Sequence, residues 1–344
     1  MARVAVVGAG ISGLACARIL QDRGHNVFVF DKGRGPGGRT STRREGEWRF
    51  DHGAQFFRVR DERFARAAAE WLERGVIALW KPNLVRITGS RAAPEPHRGD
   101  MFLAQPSMSA LAQHLAGGLC VATANEVATI SPIGQRWALL DAAGRTLSPI
   151  GEEFDVLVVA TPPVQTAKLL ATSGVTAFED QLKAAVIAPC WAAMIVTDGL
   201  DLAPFDAAHV DGGPLAWIAC ESRKPLRTSM PDGRLAWVVH ATPAWSREHL
   251  EEHQVAIAPK LAEAFADALV TAGVARTNIS CSSVTAHRWR YALVERHAAV
   301  ECCWSNEHRL ALAGDWCLGG RIEAAYLSGC AAAGRILASA ATVA

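Results

Sequence analysis

The sequence has no Cys-x-x-Cys pair and no metal-type spacing of cysteine and histidine. Its nine cysteines are dispersed, and only Cys302 and Cys303 are adjacent. That pattern argues against a zinc module or a disulfide framework and predicts reduced, packed thiols in a cytosolic protein. No run of about 20 apolar residues exists, so no spanning helix is expected. Net charge is nearly absent: 35 Lys and Arg face 34 Asp and Glu, giving +1. There is then no excess of positive charge to hold nucleic acid or an anionic membrane. Tyrosine is scarce, with two residues against eleven tryptophans. No nucleophilic triad, paired carboxylate, internal repeat or linker run stands out. The apolar pattern starts at Val4 and is broken by Gly8, Gly10, Gly13 and Arg18, so no cleaved leader is expected and a cytoplasmic location is.

What is present is apolar content and glycine at particular places. Half of the 344 residues are hydrophobic and 20% are charged, enough for a sizeable core and roughly two domains. Val4-Ala5-Val6-Val7 predicts a buried parallel strand, followed at once by Gly8-Ala9-Gly10-Ile11-Ser12-Gly13. Residues 14–23 predict a helix stopped by Gly24, and Val27-Phe28-Val29-Phe30 a second strand closed by Asp31. Alone, GxGxxG is weak. Between a strand and a helix, with an acid ending the next strand, it predicts a dinucleotide-binding unit. The glycines let backbone approach a pyrophosphate, the helix N-terminus offers N–H groups, and Asp31 can accept from ribose hydroxyls.

Residues 33–44 form a second loop rich in glycine and arginine, where a nicotinamide dehydrogenase would continue into another βα unit. It implies a cofactor lying extended across the domain, which favours FAD. Phe50-Asp51-His52-Gly53-Ala54-Gln55 then returns to the sheet, with a glycine where a flat ring could pass.

Further along, the pattern predicts a helix at 107–115 capped by Ser107, a strand at 121–130, a hairpin of 137–140 with Leu147 around Gly144, and a strand at 154–160. From about 170 to 290 it changes. Strands at 191–196, 216–220 and 235–240 alternate with turns at Gly212-Gly213 and Pro231-Asp232-Gly233. A helix at 253–269 places Val255, Ile257, Leu261 and Phe265 on one face, and Pro259 should kink or split it. In 61–100, Phe64, Ala68, Trp71 and Leu72 fit one helix face. A strand at 310–313 ends in Gly314-Asp315, and 322–339 reads as a long helix. The predicted class is α/β. A Rossmann-like FAD-binding domain (1–60, 101–170, 286–344) carries an inserted α+β substrate domain (61–100, 171–285) on an antiparallel sheet.

The segments GAGISGLACARIL, FDKGRGPGGRTSTRR, FDHGAQFF, HRWRYA (287–292) and LAGDWCLGGRIEAAYLSG (312–329) carry a resemblance. They resemble the FAD-dependent amine-oxidase-like flavoproteins, and among these the bacterial renalases, which oxidise aberrant dihydronicotinamide dinucleotides. The resemblance implies non-covalent FAD held by Gly8, Gly10, Ile11, Ser12, Gly13, Asp31, Lys32, Gly38, Arg39, Thr42, Gly53, Ala54, Gln55, Val127, Gly314, Asp315, Arg321, Ile322 and Glu323. In it, Val127 is a backbone contact to the adenine from within a strand, and Asp315 binds a ribityl hydroxyl. The N-terminus of the last helix faces the flavin pyrimidine, where reduced flavin is negative.

The implied substrate is a 2-dihydro or 6-dihydro isomer of NAD(P)H, with oxygen as electron acceptor and hydrogen peroxide as product. Gln55, Phe56, Phe57, Trp289 and Arg321 would lie nearest its ring. No catalytic side chain is demanded, because aromatising a dihydropyridine by hydride loss releases no proton from carbon. Amine oxidases flank the amine with aromatic rings, commonly tyrosines; Arg321 stands here at one such position. Cys302 and Cys303 fall outside the place where relatives attach flavin covalently. Another FAD-dependent amine or specialised-metabolite oxidase or desaturase, and a non-catalytic member of the fold, remain as alternatives. The sequence gives no oligomeric state.

Overall fold

The computed structural model describes residues 1–148, 151–198, 204–227 and 233–341. The strand Arg3–Val7 pairs in parallel on both sides, with Asn26–Phe30 and with Val156–Val159. A strand enclosed in this way buries both faces, which is why it is apolar at successive positions. Among the described residues the sheet has six strands, in the order Cys303–Ser305, Leu310–Leu312, Val156–Val159, Arg3–Val7, Asn26–Phe30, Cys120–Ala122. All are parallel except Cys303–Ser305, which runs antiparallel at one edge. One face packs Val4 and Val6 against Leu14, Leu111 and Ile336 of three helices. The other packs Ala5, Val7 and Leu157 against Trp137 and Trp316.

A second sheet has seven strands: Ser280–Arg296, Val186–Asp198, Leu235–Ala241, Leu215–Cys220, Ala207–Asp211, Leu84–Thr88, Arg91–Pro94. It is antiparallel apart from the pairing of Ala207–Asp211 with Leu84–Thr88. The helix Gln254–Thr271 covers its outer face with Ile257, Leu261, Phe265 and Leu269, each 0% exposed. Burying each such side chain contributes roughly 1.5–3 kcal/mol. Residues 61–100 divide between the two halves: Phe64, Ala68 and Trp71 pack with the first core, while Val85 and Ile87 pack with the second.

Several local expectations change. Pro259 lies inside a helix that runs unbroken, since buried side chains on both sides of it grip the same sheet. Val255 (71% exposed) and Leu72 (46%) leave their helices' apolar faces for solvent, because the buried stripes are narrower than their periodic patterns. The helix expected at 107–115 is Ser109–Ala116, with Met108 rather than Ser107 at its N-cap. Arg136–Leu140 has a full ladder partner in Thr129–Ile133, around Gly134, and the expected hairpin at Gly144 also forms: Leu140 bridges Thr146, and Leu147 donates its N–H to the Leu139 carbonyl at 2.7 Å. Gly212-Gly213 makes its turn with φ of +83° and +74°, whereas Pro231 and Asp232 lie outside the described residues.

Candidate active site

The helix Ile11–Asp22 begins at Gly10 with no capping side chain. The first-turn N–H groups of a helix have no intrahelical partner. The Ser12 hydroxyl in that turn is buried with no hydrogen-bond partner. The three glycines differ in why they are glycine. A Cβ on Gly8 (φ +109°) would lie 2.8 Å from the Ala160 carbonyl oxygen, and one on Gly13 would lie 2.0 Å from the Gly8 carbonyl oxygen. A Cβ on Gly10 would meet nothing within 4 Å. Two glycines therefore serve the packing, and the third opens a cradle at a bare helix N-terminus, a fit for a pyrophosphate.

Asp31 ties this loop to the next one, accepting from the Ala9 N–H and the Gly33 N–H, both at 2.6 Å. Gly37 and Gly38 sit against Gly10, while Lys32 is exposed. Val127 lies in the irregular connection between Cys120–Ala122 and Thr129–Ile133, so the strand expected there is interrupted.

At the far end of the second loop, Arg39 grips Asp315 through both guanidinium nitrogens, at 2.8 and 2.6 Å. Thr42 donates to Asp51 at 2.6 Å. The space left by the missing side chain of Gly53 is filled by protein. A Cβ there would lie 2.0 Å from the Arg39 carbonyl oxygen and 3.3 Å from the Trp289 ring, so this glycine answers a close backbone approach. Ala54 donates its N–H to the same carbonyl at 2.9 Å. Gly314 donates to Ser328 at 3.0 Å. Around the start of the last helix, Ile322–Ala341, Arg321 is exposed and Ile322 is buried. Glu323 accepts from the N–H groups of Arg60 and Asp61 at 2.7 and 2.8 Å.

Of the residues expected nearest a substrate ring, Phe57 belongs to the core, against Phe64 and Phe102. Phe56 is half-buried between Trp80 and Trp217. Gln55 is buried; its amide donates to the Asp51 carbonyl and accepts from Lys224 at 3.1 Å. Lys224 also meets Glu221 at 2.5 Å, and Arg227 meets Asp51 at 2.5 Å. This buried group of four charges escaped the sequence reading, because Glu221 and Lys224 follow a strand in what reads as a surface turn. Their spacing of three, directly after an apolar run, was the available cue.

Trp289 donates to the His52 carbonyl at 2.9 Å, and the His52 ring lies 5.0 Å from Trp289 and 4.7 Å from His287. His240 bonds the same carbonyl at 3.1 Å. None of the three histidines was singled out in advance, being far apart in the chain. Burial lowers all three pKa values: His52 to about 3, helped by His287 and Arg43, and His240 and His287 to about 4. The wall beside Gly53 is thus polar, aromatic and uncharged at neutral pH. Of the two tyrosines, Tyr326 packs edge-on against Trp71 at 5.3 Å and tilted against Phe64 at 5.5 Å, and Tyr291 lies on the strand of His287 and Trp289. Among the described residues no group of three His, Cys, Asp or Glu is placed to hold a metal ion, and no helix is long and apolar enough to cross a membrane.

The family description "NAD(P)-binding Rossmann-like domain" matches residues 6–71. Over 58 residues, 17% of this chain, the sequence is 43% identical to a 4,4'-diapophytoene desaturase (4,4'-diaponeurosporene-forming) of Staphylococcus haemolyticus; the match spans only 12% of that protein. Whole-chain likeness comes from solved structures. Putrescine oxidase bound to putrescine superposes with a TM-score of 0.74 at 12% identity, over 98% of this chain and 99% of that one. Cyclohexylamine oxidase from Brevibacterium oxydans IH-35A gives 0.73 at 13% identity, over 97% and 98%. The chain therefore has the fold of the amine-oxidase-like flavoenzymes, with a Rossmann-like dinucleotide-binding segment at its N-terminal side.

Proposed function

We propose that this chain is an FAD-dependent oxidoreductase that holds its flavin non-covalently and oxidises 2-dihydro or 6-dihydro isomers of NAD(P)H to NAD(P)+, with oxygen as electron acceptor. Bound FAD would supply a hydride acceptor, with oxygen taking up the two electrons, the proton of the hydride and one proton from solvent to give hydrogen peroxide. The cradle at Gly10, the bare first turn of the helix and the unpartnered Ser12 hydroxyl fit the cofactor's pyrophosphate. Arg39 and Asp315, already oriented by each other, would serve the flavin's ribityl chain.

The observation that carries the substrate reading is the uncharged wall of His52, His240, His287 and Trp289. Imidazoles held this far below neutrality are weak proton acceptors. They suit a donor that gives up a hydride without losing a proton from the same carbon. The flat rings of Phe56 and Trp217, 5.4 Å apart, offer apolar surface for positioning. Gln55, fixed at both ends of its amide, is rigid beside them.

The test is anaerobic stopped-flow mixing of the purified holoenzyme with the 2-, 4- and 6-dihydro isomers. Fast bleaching by the 2- or 6-isomer, with slow bleaching by ordinary 4-dihydro NADH, is expected. Equal rates for all three would replace the reading with a general NADH oxidase. Amine oxidation is the second reading, favoured by the fold shared with two amine oxidases. Rapid bleaching by a simple amine at micromolar concentration would select it.

A further inference from the structure

The register of the seven-stranded sheet lines up one row of residues across six strands. His287 stands opposite Ala192, Ala192 opposite His240, His240 opposite Trp217, Trp217 opposite His209, and His209 opposite Arg86. Residues paired directly across a sheet project from the same face. His287 and His240 bound the segment at His52, and Trp217 stacks on Phe56. The row is thus a ceiling over residues 52–56, changing from neutral imidazoles through a buried indole to a guanidinium.

The guanidinium end is crowded with like charge. The Arg58 guanidinium lies over Phe56, 5.5 Å from its ring centroid, and donates to the carbonyls of Arg98 and Gly99 at 2.6 Å. Arg86, Arg91 and Arg98 line an open cavity of about 510 Å³ with Thr88 and Glu95. The nearby carboxylates are spent: Asp211 pairs with Arg86 at 2.7 Å, and Glu95 pairs with Arg86 and His209, each at 2.9 Å. Among the described residues Arg58, Arg91 and Arg98 enter no ion pair, and burial together with Arg60 and Arg98 lowers the pKa of Arg58, opposed in part by Glu95. Four guanidinium groups gathered around two carboxylates leave an excess of positive charge that attracts an anion. Trp217, at the middle of the row, keeps its ring N–H buried and unpartnered. From Trp217 to Arg86 is two strand spacings, roughly 10 Å, a length that a ribose and its phosphate can span.

We propose that this arginine cluster is the subsite for the phosphate tail of a dinucleotide substrate whose ring lies under the histidine end of the same row. The inference rests on the dihydronicotinamide reading and names the part of the substrate that the reading leaves unplaced. ADP-ribose, the tail without the nicotinamide, is the probe, with binding to the holoenzyme measured by calorimetry at low salt. The wild type should bind it. The exposed double change Arg91→Ala/Arg98→Ala should weaken binding at least ten-fold, and salt should weaken the wild type toward the variant. Arg276→Ala, on the outer side of the sheet, should leave the affinity as it was. Absence of ADP-ribose binding, or equal affinity in the double variant, overturns the subsite even where dihydro isomers bleach the flavin. Arginine-dependent binding without bleaching supports the subsite and overturns the substrate reading instead.

Discussion

Arg39 and Asp315 lie 276 residues apart in sequence and meet as a bidentate ion pair, with Arg39 also donating to the Ala292 carbonyl at 3.1 Å. One residue comes from the second glycine-rich loop and the other from the turn before the last helix. Each was read from sequence as a cofactor contact, and each is held in place by the other. The pair is partly screened, with the Arg39 side chain 29% exposed and that of Asp315 10%.

Changing either partner to alanine should therefore cost about 1–3 kcal/mol of stability. The double change should cost less than the sum. Flavin released on dilution, followed by its fluorescence, should rise in all three variants. Additive losses in urea unfolding would mean that the two side chains act separately.

The glycine loop offers a paired comparison. Gly10→Ala introduces a methyl that touches no protein atom, at φ −77° where alanine is unstrained. Stability without flavin should change by under about 0.5 kcal/mol, while flavin affinity falls because the methyl occupies the cradle. Gly13→Ala drives a methyl to 2.0 Å from the Gly8 carbonyl oxygen and should lower stability in the flavin-free protein as well. Equal behaviour of the two variants would remove the cradle.

Lys224, with a fully buried side chain, should not tolerate removal of its charge alone. Lys224→Met leaves Glu221 and the Gln55 carbonyl oxygen without their shared donor, a loss on the order of 3–5 kcal/mol. Burial already pushes the Glu221 carboxyl above its usual range. Adding Glu221→Gln should restore part of the loss, as read from the thermal midpoint; no recovery would show that the lysine acts mainly through packing.

Acid should weaken the fold through the three imidazoles. Their folded pKa values lie at about 3 and 4, below the usual 6.5. Under about pH 6.5 the unfolded chain takes up protons that the folded one refuses. Their contribution is then complete above that pH and is lost as pH falls toward the folded values. The urea midpoint should drop between pH 7 and about 4.5, with a shallower fall in His287→Gln. Identical slopes in the two proteins would argue that other groups control the acid limb.

How much was readable beforehand follows physical lines. The first βαβ unit was legible because a doubly buried strand must be apolar throughout and its turn must be glycine, so Val4 to Asp31 carries its own explanation. The second sheet was legible as strands, but its register was not, since pairing His240 with Trp217 and Ala192 depends on turns outside any one segment. The Asp51, Glu221, Lys224 and Arg227 group was passed over because charged residues beside turns ordinarily meet water, and the spacing of Glu221 and Lys224 was its one cue. Phe57 looked equivalent to Phe56 in the sequence; only the structure separates Phe57, buried against Phe64 and Phe102, from Phe56, half-buried between Trp80 and Trp217.

The close crossing of the first and last helices bears on how the protein is made. A Cβ on Gly329 would lie 2.1 Å from the Ser12 carbonyl oxygen and 3.2 Å from the Ala15 side chain, so the two helices meet backbone to backbone. During synthesis the helix partner of the glycine loop emerges more than three hundred residues after it. Until then the Ser12 and Ala15 face of the first helix lacks the helix that finally covers it. The growing chain thus carries the first helix without this partner over more than three hundred residues, a stretch in which a chaperone that shields apolar helices would find its target.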